Sequence, residues 1–133
     1  MELLLGQKVK YKTISKKIKM GGDNYVTLEN FIPDPDSDDW TKTIKRRKLV
    51  ILDKPRIGYI VGKRRVIADT VLKKVYESDP ELHDYIDIEC QLYYKVYLVA
   101  WSMGKMDCVL GVDLMEPDGQ DRYLCRPYQS ENI

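Results

Sequence analysis

The chain has 133 residues with 22 Lys plus Arg, 21 Asp plus Glu and one His, for a net charge of +1. That length suits a single domain, 1–133, able to bury roughly two-thirds of its unfolded surface without a metal or disulfide. At 44% hydrophobic, with ten Tyr, two Trp and one Phe, the composition excludes a disordered chain, and no apolar run is long enough to span a membrane.

In chain order, Met1–Lys8 lacks the basic and apolar regions of a secretion signal, so the expected location is cytoplasmic. Gln7–Thr13 alternates Lys with Val9, Tyr11 and Thr13, a half-exposed strand. Gly21–Asn24 is a turn cluster, and Tyr25–Ile32 is strand-like in its β-branched and aromatic content. Pro33–Asp39 is an acidic loop. Arg47–Leu52 predicts a short buried strand ending before Pro55, and Arg56–Gly62 and Arg65–Tyr76 predict two strands around a basic turn at Gly62-Lys63-Arg64.

Glu77-Ser78-Asp79-Pro80 suits at most one helical turn, through His83. Tyr85–Trp101 is the strongest strand region, either one long bent strand or two. Ser102–Met106 is a hairpin loop centred on Gly104, Asp107–Leu110 returns, and Val112–Pro117 predicts a brief helical turn stopped by proline. No amphipathic helix or repeat occurs. The class is all-β.

The scarce residues exclude familiar chemistry. His83 sits in the acidic segment Pro80–Asp84 and reads as a solvated side chain. Cys90, Cys108 and Cys125 form no Cys-x-x-Cys pair, which predicts reduced, buried thiols, no metal and no cofactor. Gly58–Arg64 lacks the spacing and the Ser/Thr of a phosphate loop. The adjacent Asp38-Asp39 would point to opposite sides of an extended chain. The expectation is a protein that is not an enzyme.

The small net charge conceals segregation. Residues 1–22 carry +5, 23–40 carry −6, 41–76 carry +10, 77–90 carry −6 and 91–133 carry −2. Such blocks either pair across the fold or present a basic face and acidic loops to different partners. Arg46, Arg47, Lys63, Arg64 and Arg65 are the candidate basic rim, since the guanidinium fork suits phosphate or carboxylate; the competing reading is charge that protects strand edges. Tyr93, Tyr97 and Trp101 share one strand face and are candidate stacking or partner-facing aromatics, or else core. Trp40, after the acidic loop, is a candidate hot-spot side chain or a lid on the sheet.

Three segments together resemble a known architecture: Leu5–Val9, Pro55–Gly62, and Tyr94–Val99 followed by Val112–Pro117. Their order resembles that of SH3-like small barrels of the KOW and Tudor kind, including small SH3-like proteins encoded by phages. The resemblance covers about a third of the chain and implies a partly open small barrel, with extra strands inserted over about 14–54, an extension over 63–92, and long acidic loops. It implies binding rather than catalysis. The expected function is a phage-encoded interaction protein that binds and inhibits or modulates a host macromolecule, such as a bacterial defence component, in the host cytoplasm. A protein partner is expected first; direct binding of nucleic acid or a nucleotide through the Arg/Lys rim and stacked Tyr is the alternative. Oligomeric state is left open.

Overall fold

A computed structural model describes residues 3–19, 26–35, 40–79, 81–119 and 121–125. The strands are β1 (Lys8–Lys17), β2 (Thr41–Lys45), β3 (Arg47–Val75), β4 (Tyr85–Ser102), β5 (Lys105–Val109) and β6 (Leu114–Met115), with a 3-10 turn at Gly111–Asp113. Among the described residues there is no α-helix, so none is long and apolar enough to cross a membrane. The chain is all-β. Its strands hydrogen-bond in the order β2-β3-β4-β5-β1-β6, and β3 also pairs with β1.

The chain divides into two compact units, one of residues 1–16, 48–66 and 95–133, the other of 17–47 and 67–94. Strands β3 and β4 each contribute a segment to both.

In the first unit, Leu3, Val9, Tyr11, Ile14, Ile60, Tyr97, Val99, Val109 and Leu114 form one buried cluster, and Val50, Leu52 and Trp101 pack against it. Each large aliphatic side chain buried here contributes about 1.5–3 kcal/mol through removal from water. Gly58 permits the close approach of β3 to β4: a Cβ there would collide with the Ala100 carbonyl oxygen and lie 2.8 Å from Val99 Cγ1. Strand β4 pairs antiparallel with β5, Tyr97 opposite Val109, and β5 with β1, Ser15 opposite Cys108. After the 3-10 turn, β6 returns to β1 with Tyr11 opposite Leu114. The 121–125 segment is held by the Leu124 N–H donating to the Leu114 carbonyl (2.8 Å) and by a Lys10–Asp121 ion pair (2.8 Å).

In the second unit, β2 pairs antiparallel with β3 from Thr41 opposite Lys73 to Lys45 opposite Asp69. Only Phe31, Ile44 and Thr70 are buried there among the described residues.

Several expectations are corrected. Strand β3 is continuous over 29 residues, so neither Pro55 nor Gly62-Lys63-Arg64 breaks it. Only the inside–outside alternation lapses, with Asp53–Pro55 and Lys63–Arg65 each exposed in succession. Leu49 and Ile51, read as buried, are 53% and 73% exposed.

The described part of the 25–32 strand is instead a turn. The Thr27 N–H donates to Asn30 Oδ1 (2.6 Å) and the Asn30 N–H to Thr27 Oγ1 (3.3 Å), so side chains replace the strand ladder. Among the described residues of 77–83 there is no helix: the Glu81 N–H donates to Asp79 Oδ1 (2.9 Å) and the Leu82 N–H to the Asp79 carbonyl (3.0 Å). The 21–24 turn and residues 36–39 of the acidic loop lie outside the described residues.

Other expectations hold. Tyr85–Ser102 is one long strand, and Met103-Gly104 turns the hairpin with Gly104 at φ +72°. The helical turn expected over 112–117 is found only at Gly111–Asp113, and it is ended not by Pro117 but by Leu114 and Met115 pairing with β1. The expectation of buried thiols is corrected: Cys108 and Cys125 are only half-buried, and Cys90 is exposed on β4.

Candidate functional site

The basic candidates separate. Arg46 lies between β2 and β3 in the second unit, half-buried, with Nη1 3.4 Å from Thr70 Oγ1 and a buried Nε that has no hydrogen-bond partner among the described residues. Its backbone joins neighbouring segments: its N–H donates to the Ala68 carbonyl (2.8 Å), and its carbonyl accepts from the Ile18 N–H (2.8 Å). Arg47 opens β3 beside it and is also half-buried. Lys63, Arg64 and Arg65 belong to the first unit, all exposed. With Lys95 of β4 they line a cavity of about 310 Å³. Lys95 is a member that sequence reasoning missed, since it stands alone in an apolar strand.

The aromatic candidates also divide. Tyr97 is 5% exposed and belongs to the core. Tyr93 is 46% exposed, its hydroxyl 2.9 Å from Gln91 Oε1. Trp40 is 56% exposed in the left-handed region (φ 56°), a backbone conformation that costs about 1–2 kcal/mol outside glycine. Its ring meets Tyr76 edge-on at 6.3 Å, and Lys74 Nζ lies 5.1 Å over the Tyr76 ring.

Trp101 is half-buried in a cluster that joins four strands, β1, β3, β4 and β5. The Arg56 guanidinium lies 4.0 Å over its ring and the Lys105 ammonium 5.1 Å from it. Arg56 Nη1 donates to Asp107 Oδ2 (2.8 Å), and the fully buried Tyr11 hydroxyl donates to the same oxygen (2.7 Å). Asp107 thus fixes the guanidinium against the indole, and the group stabilises the fold rather than offering an open stacking platform. Burial pushes the Tyr11 hydroxyl well above its ordinary pKa, helped by its hydrogen bond to Asp107 and by that carboxylate's charge.

The acids of the expected acidic loops work locally where they are described. Asp34 Oδ2 accepts from the Thr43 N–H (2.8 Å), Asp84 Oδ1 from Glu77 (3.0 Å) and Asp87 Oδ1 from Ile88 (2.8 Å). Such carboxylates satisfy backbone donors in turns and at strand ends. His83 is exposed. Among the described residues no group of three His, Cys, Asp or Glu side chains comes together to hold a metal ion.

Sequence reasoning also missed the outer face of β3 in the first unit. Val50, Leu52 and Ile60 point into the core, while Leu49, Ile51, Ile57, Tyr59 and Val61 point outward at 45–73% exposure. The signal was present as apolar residues on both parities of one strand, but it reads equally as a strand buried on both faces.

No family model, curated protein or solved structure matches this chain.

Proposed function

We propose that the chain is a non-enzymatic interaction protein that binds a protein partner through the outer face of β3 in the first unit. The observation that carries this reading is the stripe Leu49, Ile51, Ile57, Tyr59 and Val61, held outward on a strand whose other side is core. Apolar side chains grouped on a rigid surface and left in water are the usual mark of an interface, and an aromatic within them is a typical anchor.

The fold reading within this proposal is a small SH3-like barrel. It is supported by the pairing circuit β1–β3–β4–β5–β1 and by a 3-10 turn leading to a two-residue strand back on β1. The finer biological reading is a phage-encoded protein that inhibits or modulates a host target, a bacterial defence component being the class we favour. Small size and segregated charge support that setting.

Capture from a nuclease-treated bacterial lysate tests the reading. The full chain should retain a protein that Tyr59→Glu and Ile57→Glu release and that Trp40→Ala does not, with all variants melting alike. Capture that vanishes with nuclease, or that ignores both β3 substitutions, would contradict it.

A further inference from the structure

A second surface of the first unit carries a more specific chemistry. An apolar cavity of about 210 Å³ is lined by Leu3, Leu4, Leu5, Ile60, Tyr97 and Lys63. Lys63 is also a wall of the 310 Å³ cavity formed with Arg64, Arg65 and Lys95. The two are linked again through Tyr97, whose ring lines the apolar cavity and lies 5.2 Å below Lys95 Nζ. A site for an apolar group and a site for anions therefore adjoin.

The apolar cavity is built rather than incidental. Leu4 and Leu5 are 69% and 72% exposed, yet the turn that carries them is pinned. The Gly6 N–H donates to the Ile60 carbonyl (2.7 Å), the Ile60 N–H to the Gln7 carbonyl (2.9 Å) and the Gln7 N–H to the Leu4 carbonyl (3.2 Å). The Gln7 side chain reaches back, Oε1 accepting from the Leu4 N–H (3.1 Å), and Gly6 supplies the φ of +82° that the turn requires. Two leucines are thus held in water on a turn fixed by hydrogen bonds at Leu4, Gly6, Gln7 and Ile60, an arrangement already organised for a ligand.

Size and charge select the occupant. At about 210 Å³ the apolar cavity is smaller than the roughly 300–1,000 Å³ that whole small-molecule ligands occupy, which suits one large side chain. The neighbouring cations, two of them guanidinium forks, suit carboxylates. A nucleic-acid backbone would satisfy the cations and leave the leucines wet.

We propose that these adjoining cavities take an acidic peptide segment of a partner protein, with one aliphatic or aromatic anchor among Leu3, Leu4, Leu5 and Tyr97 and flanking Asp or Glu carboxylates against Lys63, Arg64, Arg65 and Lys95. The inference rests on the protein-binding reading for the class of partner, and on the two cavities for its chemistry.

Panning a random dodecapeptide library on the full chain tests it, followed by fluorescence anisotropy with the enriched peptide. Peptides bearing a large apolar residue beside Asp or Glu should be enriched. Affinity should fall at least about tenfold when the anchor becomes Ala, when the acids become amides, or in the Lys63→Glu and Lys95→Glu chains. The melting temperature should stay within about 2 °C of the parent, as exposed charges contribute little to stability. Lys95→Glu serves where Lys63→Glu does not fold.

The inference is overturned if no peptide is enriched, if enriched peptides are basic or lack an anchor, if charge reversal leaves affinity unchanged, or if short single-stranded DNA or anionic vesicles bind as tightly. A chain that fails here but still captures a protein dependent on Tyr59 loses this inference alone.

Discussion

The two units are made of the same kind of strand and are held together differently. Of the fourteen buried hydrophobic residues among those described, twelve lie in the first unit and two, Phe31 and Ile44, in the second. Both units draw on β3 and β4, yet in the first these strands back onto a continuous apolar cluster. In the second, side-chain hydrogen bonds such as Asp34–Thr43 and Glu77–Asp84 do more of the holding. Strand content is no guide to local stability; burial behind the strand is.

The largest expected effects break the first unit. Leu114→Ala empties a fully buried position opposite Tyr11 and should cost about 2–5 kcal/mol in urea unfolding. Gly58→Ala, forced against the Ala100 carbonyl and Val99, should cost about 3 kcal/mol. If both are tolerated, the first unit is not the packed body described.

Tyr11→Phe removes one donor from Asp107 and should cost about 1–2 kcal/mol at neutral pH. Its pH signature is sharper. Because the folded Tyr11 hydroxyl holds its proton to higher pH than the unfolded one, its contribution is complete below about pH 10 and is lost as pH rises above that value. Wild-type stability should therefore fall above pH 10 by up to about 1.4 kcal/mol per pH unit more steeply than that of Tyr11→Phe. Parallel curves in denaturant titrations between pH 9 and 11 would contradict the assignment.

In the second unit, Ile44→Ala should lower the global unfolding free energy by no more than about 1 kcal/mol while clearly speeding amide exchange at 41–45 and 69–73. A cost as large as that of Leu114→Ala would erase the contrast between the units.

Asp113 is the smallest case. Its Oδ2 is buried with no hydrogen-bond partner among the described residues, and burial raises its pKa. Stability from its protonated form is full below the ordinary carboxyl pKa and fades as pH rises through the raised value. Asp113→Asn should thus stabilise by less than about 1 kcal/mol at pH 7 and by nothing near pH 3. Thermal melts at the two pH values check the sign.

Strand class was legible because period-two alternation records one-sided burial, as at Lys8–Thr13, and the hairpin was legible because Gly104 takes a backbone conformation that favours glycine. The continuity of β3 was not. Pro55 and Gly62 punctuate the sequence, but the chain passes both with only a lapse in alternation. The basic triplet at 63–65 was visible, whereas Lys95 meets it only in the fold, as a wall of the same cavity. The Tyr11–Asp107–Arg56–Trp101 cluster draws on residues up to 96 positions apart, beyond any local pattern. Tyr97 and Trp101 share a sequence parity with the exposed Tyr93, so parity alone could not separate core from surface.

Native-state hydrogen exchange, read amide by amide in the full chain, tests the contrast between the units most directly. Amides of 96–99 and Val109 should exchange only through global unfolding, while those of 41–45 and 69–73 should exchange through a smaller opening at a free energy at least about 2 kcal/mol lower. Equal protection in both sets, or greater protection in the second, would contradict the account.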